Sequence, residues 1–171
     1  MRTVLFFTVS HRGSISPEEC AAILTKGTSG VLALAGDAGY PYAVPLSYVF
    51  AEDRLYFHCA KSGHKLDAIR RENRASFCVV EQDQIVPEAY TTWFRSVIAF
   101  GTVRILEDPA EKRAAIEKLA AKYAPDDTAE HRAQVIGQEW EPLCMLEMVI
   151  EHLTGKEAIE LVKVREKGCD K

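Results

Sequence analysis

No stretch of this chain approaches the roughly 18 consecutive apolar residues that a membrane-spanning helix requires. Basic residues are not in excess either. Lys and Arg number 21 against 25 Asp and Glu, a net charge of −4, so bulk electrostatics give no pull toward nucleic acid. Cysteine is sparse and unpatterned: Cys20, Cys59, Cys78, Cys144 and Cys169 are odd in number, scattered, and contain no C-x-x-C pair. That argues against a disulfide framework and a structural zinc site. His11, His131 and His152 are too dispersed to read as metal ligands. The chain has no G-x-x-x-x-G-K-[ST] loop and no G-x-G-x-x-G turn. Neither a Ser-His-Asp order nor a paired-carboxylate arrangement stands out, and there is no internal repeat, low-complexity tract or linker.

The opening residues, Met1 to Val9, are apolar with a single Arg. The stretch is too short for a secretory signal and lacks a clear small-residue cleavage site, so secretion is not expected. Taken with cysteines that read as reduced and mostly buried, this points to a cytoplasmic protein. Cys78 and Cys144 lie in apolar strand-like runs, where a small core residue is the default. What is present is ordinary globular composition, 47% apolar and 27% charged over 171 residues. That suits one domain, 1–171, with a substantial core.

Local patterns divide the chain clearly. Ser16-Pro17-Glu18-Glu19 is a strong helix start, with a capping serine, Pro at the first helical position and Glu three residues after the cap. This helix runs to about Lys26 and stops at Gly27. Val31 to Ala35 reads as a strand ended by the turn Gly36-Asp37-Ala38-Gly39, and Tyr42 to Phe50 as a second. Glu52-Asp53-Arg54 turns it into a third, Leu55 to Cys59. Further strands are expected at Ala75 to Glu81, Phe94 to Leu106 and Leu143 to His152. Between the last two, Asp108-Pro109 opens a helix whose Ile116, Leu119, Ala120 and Tyr123 share one face, ending at Pro125. A weaker helix follows over Thr128 to Gln138, and Glu166 onward reads as a frayed tail. The sum is about six antiparallel strands, paired mostly in sequence, with helices at one side: a mainly β protein, best fitted by a small barrel.

The most informative stretch is Tyr56-Phe57-His58-Cys59-Ala60-Lys61-Ser62-Gly63-His64-Lys65-Leu66-Asp67. It reads as a strand turning into a helix capped by Ser62, with His64 and Lys65 in the first helical turn. Cations at the positive end of a helix are unfavourable unless an anion sits there, and phosphate is the anion such an end suits best. The ordinary alternative is an exposed turn whose basic residues meet acids such as Asp67. Arg70, Arg71 and Arg74 lie toward the helix end, where cations belong, and read as a solvated face. His58 alternates with Tyr56 and Ala60 on one strand face, while Phe57 and Cys59 share the other. Pro45 inside Ala43-Val44-Pro45-Leu46-Ser47-Tyr48 cannot donate a ladder hydrogen bond and marks an edge or rim strand. Trp93 and Phe94 could form an aromatic wall, but core is the default.

Four segments in fixed order resemble the pyridoxamine-phosphate-oxidase-like flavin proteins, most nearly the nitroimidazole-resistance (Nim-type) branch. They are Gly39 to Tyr48, Leu55 to Ala60, Gly63-His64-Lys65 and Arg95 to Gly101, and the likeness runs from about Pro17 to Lys156. The resemblance implies a split β-barrel that binds FMN at the interface of a homodimer. By that likeness Val44, Pro45, Leu46, Ser47 and Tyr48 lie along the flavin and its ribityl chain, largely through backbone. His58 and Cys59 sit on the neighbouring strand, His64 and Lys65 fall where the oxidases place an Arg-Lys pair on the FMN phosphate, and Ser96 contacts the flavin. His58 near the isoalloxazine is the candidate for catalytic proton delivery.

Two departures qualify the likeness. An imidazole at His64, unlike arginine, changes charge with pH. The oxidases' pyridoxal-phosphate-binding Arg and His have no counterpart in Leu153 to Lys171, so true pyridoxamine-phosphate oxidation is not expected. The implied activity is that of an FMN oxidoreductase, reduced by NAD(P)H and reoxidised by a small, nitroaromatic-type acceptor. The alternatives are a non-catalytic flavin-binding or sequestering protein, or a related barrel holding haem or a deazaflavin. No nucleic-acid or membrane partner is implied.

Overall fold

The computed structural model describes residues 13–168. The apolar start Met1 to Val9, His11 and Cys169 lie outside the described residues. Among the described residues no helix is long and apolar enough to cross a membrane. Helix α1 (Pro17–Lys26) starts as expected: the Ser16 hydroxyl accepts from Glu19 N–H at 3.2 Å, while the Glu19 carboxylate accepts from Ser16 N–H at 2.9 Å. Strands β1 (Ser29–Ala35), β2 (Pro41–Ser47), β3 (Val49–Ala51) and β4 (Arg54–Ala60) follow, then helix α2 (His64–Arg71). Next come β5 (Arg74–Val86), β6 (Thr91–Ile105), α3 (Pro109–Tyr123), α4 (Ala129–Gln138), β7 (Leu143–Glu157) and α5 (Ile159–Gly168). Helix α5 continues through Glu166, where the sequence suggested only a tail.

All strands are antiparallel, in the order β2-β1-β5-β6-β7-β4-β3. Seven are present rather than about six, because the expected strand from Tyr42 to Phe50 divides at Tyr48. Tyr48 leaves the ladder, buries its ring and donates its hydroxyl to the Leu24 carbonyl at 2.8 Å. The break has a topological consequence. β2 and β3 are the two edges of the sheet, yet this one residue joins them. The sheet must therefore curl until its edges approach, which makes a barrel. Curvature is helped where β6 and β7 slip register between Phe100 and Gly101. A Cβ on Gly101 would lie 1.9 Å from the Val149 carbonyl oxygen, so only glycine fits that approach.

Alternation along each strand then sorts the faces. Leu32, Phe57, Phe77 and Val97 point into the barrel with Leu24 of α1 and Leu66 of α2. The Phe77 ring meets Tyr48 and Phe57 edge-on at 4.9 and 5.0 Å. A second cluster joins Ala115 and Leu119 of α3 to Val49, Tyr56 and Met145 on the outside of the barrel. Cys144 is buried as expected. Cys78 is only half-buried, because its neighbours Phe77 and Val79 take the inner face. Trp93 and Phe94 also depart from the core reading. Phe94 is exposed and Trp93 half-buried, its indole N–H without a partner among the described residues.

Candidate functional site: the junction of β4 and α2

The strand-to-helix turn is built differently from the expected serine cap. Gly63, not Ser62, is the N-cap, with φ 132° and ψ 166°, and no side chain caps the helix. That backbone conformation is essentially confined to glycine, and it leaves Ser62 one position outside capping reach. The first donors to find an acceptor are Leu66 and Asp67, both to the Gly63 carbonyl at 2.9 and 3.3 Å. The N–H groups of His64 and Lys65 precede that turn and have no intrahelical acceptor. An uncapped, positively polarised helix end thus carries two basic side chains in its first turn.

The two side chains have different fates. His64 Nδ1 lies 3.3 Å from an Asp37 carboxylate oxygen, and its ring stands edge-on to Tyr42 at 4.4 Å and 85°. Arg71, two turns on, grips the same carboxylate. Asp37 and Tyr42 thereby tie the β1–β2 connection and the edge strand β2 to α2. Sequence reasoning saw Asp37 only as a turn residue. Asp67, the acid named in the ordinary alternative, pairs instead with Arg70 at 3.2 Å. Lys65 is half-buried and forms no ion pair among the described residues. Its charge is felt by Cys59, yet burial and the neighbouring Cys144 push that thiol up to about 11, so Cys59 is a neutral thiol rather than a nucleophile.

Strand β2 lies at the sheet edge, as Pro45 requires. Val44 and Leu46 pack on the barrel core, while Ala43, Pro45 and Ser47 are exposed. Tyr48 is not available in the same way. Its ring is fully buried, its N–H donates to the Tyr123 hydroxyl at 3.1 Å, and the same hydroxyl lies 3.1 Å from its carbonyl. His58 is exposed on the face of β4 opposite Phe57. It opens on a cavity of ≈ 460 Å³ walled by Ile116 and Ala120 of α3, Val135 of α4 and Leu143, with Glu139 as the acid in the lining. Tyr42 of β2 thus meets His64 and Cys59 feels Lys65 at the start of α2, while His58 faces the cavity toward α3 and α4.

Ser96 belongs to the β2 side of the sheet: Pro45 of β2 pairs with Val31, Val31 with Cys78 and Cys78 with Ile98, which stands two residues from Ser96 on β6. Near Ser96 the outer face of the sheet is apolar and open, with Val31 39% and Val80 58% exposed. Among the described residues no group of three or more His, Cys, Asp or Glu is arranged to hold a metal ion.

Comparison with known proteins places this architecture. Residues 16–157 match the pyridoxamine 5'-phosphate oxidase family, and the chain belongs to it. No protein of curated function matches the sequence. Among solved structures, the chain is similar to a candidate 5-nitroimidazole antibiotic resistance protein of Bacteroides thetaiotaomicron, with 22% identity and a TM-score of 0.70 over 84% of this chain and 86% of that one. It is similar to a conserved hypothetical protein of Mycobacterium tuberculosis at 19% identity and a TM-score of 0.76, covering 88% and 90% of the two chains. A FAD-binding protein of Mesorhizobium loti is 25% identical with a TM-score of 0.64, covering 85% and 96%. These likenesses establish the split-barrel fold.

Proposed function

We propose that the protein is a flavin-dependent oxidoreductase that holds FMN at the β4–α2 junction. The observation that carries this reading is the start of α2: an uncapped helix end, opened by Gly63, with Lys65 lacking an ion pair. Two unbonded N–H groups and an unpaired ammonium fit a phosphate monoester, which carries close to two negative charges. His64 supports the same ligand. Its Nδ1 lies 3.3 Å from the Asp37 carboxylate, which leaves the other ring nitrogen to face a ligand. The edge strand β2, over Val44, Pro45, Leu46 and Ser47, runs beside this point and supplies backbone to the rest of the cofactor. The Mesorhizobium relative binds FAD, which has no terminal phosphate, so the junction favours FMN over FAD.

When bound, the flavin supplies the electron chemistry, and the protein contributes orientation, exclusion of water and proton placement. The apolar cavity beside His58 admits a small planar acceptor, of which nitroaromatics are one class, and shields it from water. His58, exposed to this cavity, is placed to deliver a proton to the acceptor. Ser96 lies two residues from the cross-strand row that holds Pro45, and the exposed Val31 and Val80 beside it offer an apolar contact for a second copy, so in this reading the working unit is a homodimer with the flavin at its interface.

The test is direct. Purified protein should be yellow, release FMN on denaturation as judged by mass spectrometry, and run as a dimer in light scattering. NAD(P)H should bleach it, and a nitroaromatic or quinone should restore the colour. Release of FAD would overturn the phosphate argument, a Soret band the cofactor, and bleaching without acceptor-dependent recovery the assignment as an enzyme.

A further inference from the structure

A second cavity, of ≈ 390 Å³, lies between α2, the start of α3 and the start of β7. Leu66 and Leu143 contribute apolar wall, and Lys61, Arg70 and Lys112 line it beside the indole of Trp140. One acid, Glu107, faces these three cations from the lining. Lys112 is the unusual residue. It is only 8% exposed, its Nζ donates to the Trp140 carbonyl at 2.9 Å, and it sits 4.0 Å from the centroid of the Trp140 ring. An ammonium has three N–H donors, and among the described residues no carboxylate forms an ion pair with this one. Glu141, whose charge it feels, is engaged by Lys61 at 3.5 Å.

Such a charge is costly. Burial holds the Lys112 amine below the usual lysine range, and the nearby Lys61 adds to that effect. Buried charges are ordinarily paired. The other two cations are held by exposed pairs, Lys61 with Glu141 and Arg70 with Asp67, of the kind that contributes little and exchanges readily. A cavity of this size is at the lower end for small-molecule sites, and an indole wall beside an unpaired ammonium selects both a flat ring and a negative charge.

We propose that this cavity is a binding site for a planar organic anion, with the ligand's carboxylate or phosphate on Lys112, Lys61 and Arg70 and its ring against Trp140 and Leu143. The cavity takes Lys61 and Leu66 from the β4–α2 stretch but neither His64 nor Lys65, and the proposal does not rest on a flavin being bound there. Three features follow from the geometry. Binding should require the charge, should prefer a ring to an inorganic ion, and should not depend on Lys65.

Calorimetric titration of the purified protein, carrying whatever cofactor it retains, tests this with AMP, salicylate, adenosine and inorganic phosphate. AMP, salicylate or both should bind once per chain, with adenosine and inorganic phosphate at least tenfold weaker; which of the two anions binds tighter assigns phosphate or carboxylate. Lys112→Met should weaken the preferred anion about tenfold or more and leave flavin content unchanged. Its melting temperature should equal or exceed that of the wild type, since an unpaired buried charge has been removed. Should that variant fail to fold, the surface double variant Lys61→Ala, Arg70→Ala should show the same weakening. Lys65→Ala should leave AMP and salicylate binding intact. No heat from either anion, equal affinity for AMP and adenosine, or variants that bind like the wild type would overturn the proposal. So would equal losses from Lys65→Ala and Lys112→Met, which would place the anion at α2 and leave the flavin reading standing.

Discussion

Truncating Lys65 separates a phosphate site from a merely basic turn. Lys65 has no ion pair among the described residues, so Lys65→Ala strands no partner, and the loss measures the interaction with the ligand alone. A hydrogen bond to a charged group is worth roughly 1.5–3 kcal/mol, which is about 10- to 150-fold in Kd. The loss stops there because the N–H groups at the start of α2 survive, as does the His64 imidazole held by Asp37 at 3.3 Å. Cys59 does not confuse the result, since burial pushes its thiol up to about 11 and losing the nearby ammonium only reinforces the neutral form. The assay is fluorescence titration of the apoprotein with FMN and with riboflavin. FMN should weaken by the stated factor, and the gap should narrow as salt is added, because Lys65 is only half-buried. Riboflavin, which lacks the phosphate, should bind wild type and variant alike. Equal losses for the two ligands would refute the placement.

Other consequences are as accessible. His58→Ala should retain flavin and alter the turnover of acceptor in steady-state assays; unchanged kinetics would return His58 to a structural role. Gly63→Ala should cost about 1–3 kcal/mol in urea denaturation, because its φ of 132° is penalised for any side chain, although a Cβ there meets nothing within 4 Å. A neutral result would show that the turn is not held in that conformation. Glu147 is 3% exposed and accepts from Arg104 at 2.7 Å and Arg54 at 2.9 Å. Burial by itself would raise its carboxyl, but the two arginines prevail and hold it below the ordinary 4.5. A depressed carboxyl contributes stability that is present above 4.5 and lost as pH falls through the folded value. Glu147→Gln should therefore cost about 1 kcal/mol at pH 7, less than a fully buried charged hydrogen bond because both arginines are nearly half exposed. It should also flatten the loss below pH 4.5. Denaturation midpoints at pH 7 and pH 4 that fall in parallel for the two proteins would contradict this.

Several features were readable because their causes are local. The helix starts at Ser16, Asp108 and Thr128 depend on a few neighbouring residues; Ser16 caps as read, and in the structure Asp108 and Thr128 also accept from the first turn of their helices. Pro45 marks an edge strand because a missing N–H excludes a central one. The alternation that put Phe57 and His58 on opposite faces of β4 survived unchanged. Where the local code was ambiguous, the reading slipped. Ser62 and Gly63 are adjacent and both suit a helix start, and the choice between them rests on a φ value that no pattern records. Tyr48 fits a strand by composition, and only the distant Leu24 carbonyl and Tyr123 hydroxyl draw it out of one.

The sequence by itself determined that a strand delivers two basic residues to a helix start, that the strands run antiparallel, and that one of them sits at an edge. Only the tertiary structure decided which of those cations is spoken for. Asp37 claims His64 and Arg71, nothing among the described residues claims Lys65, and Lys112 ends up buried beside Trp140 without a carboxylate. Pairing of charges is a matter of distance in space. A barrel closed through Tyr48 brings together residues far apart along the chain, and hydrophobic period and capping propensity carry no information about such encounters.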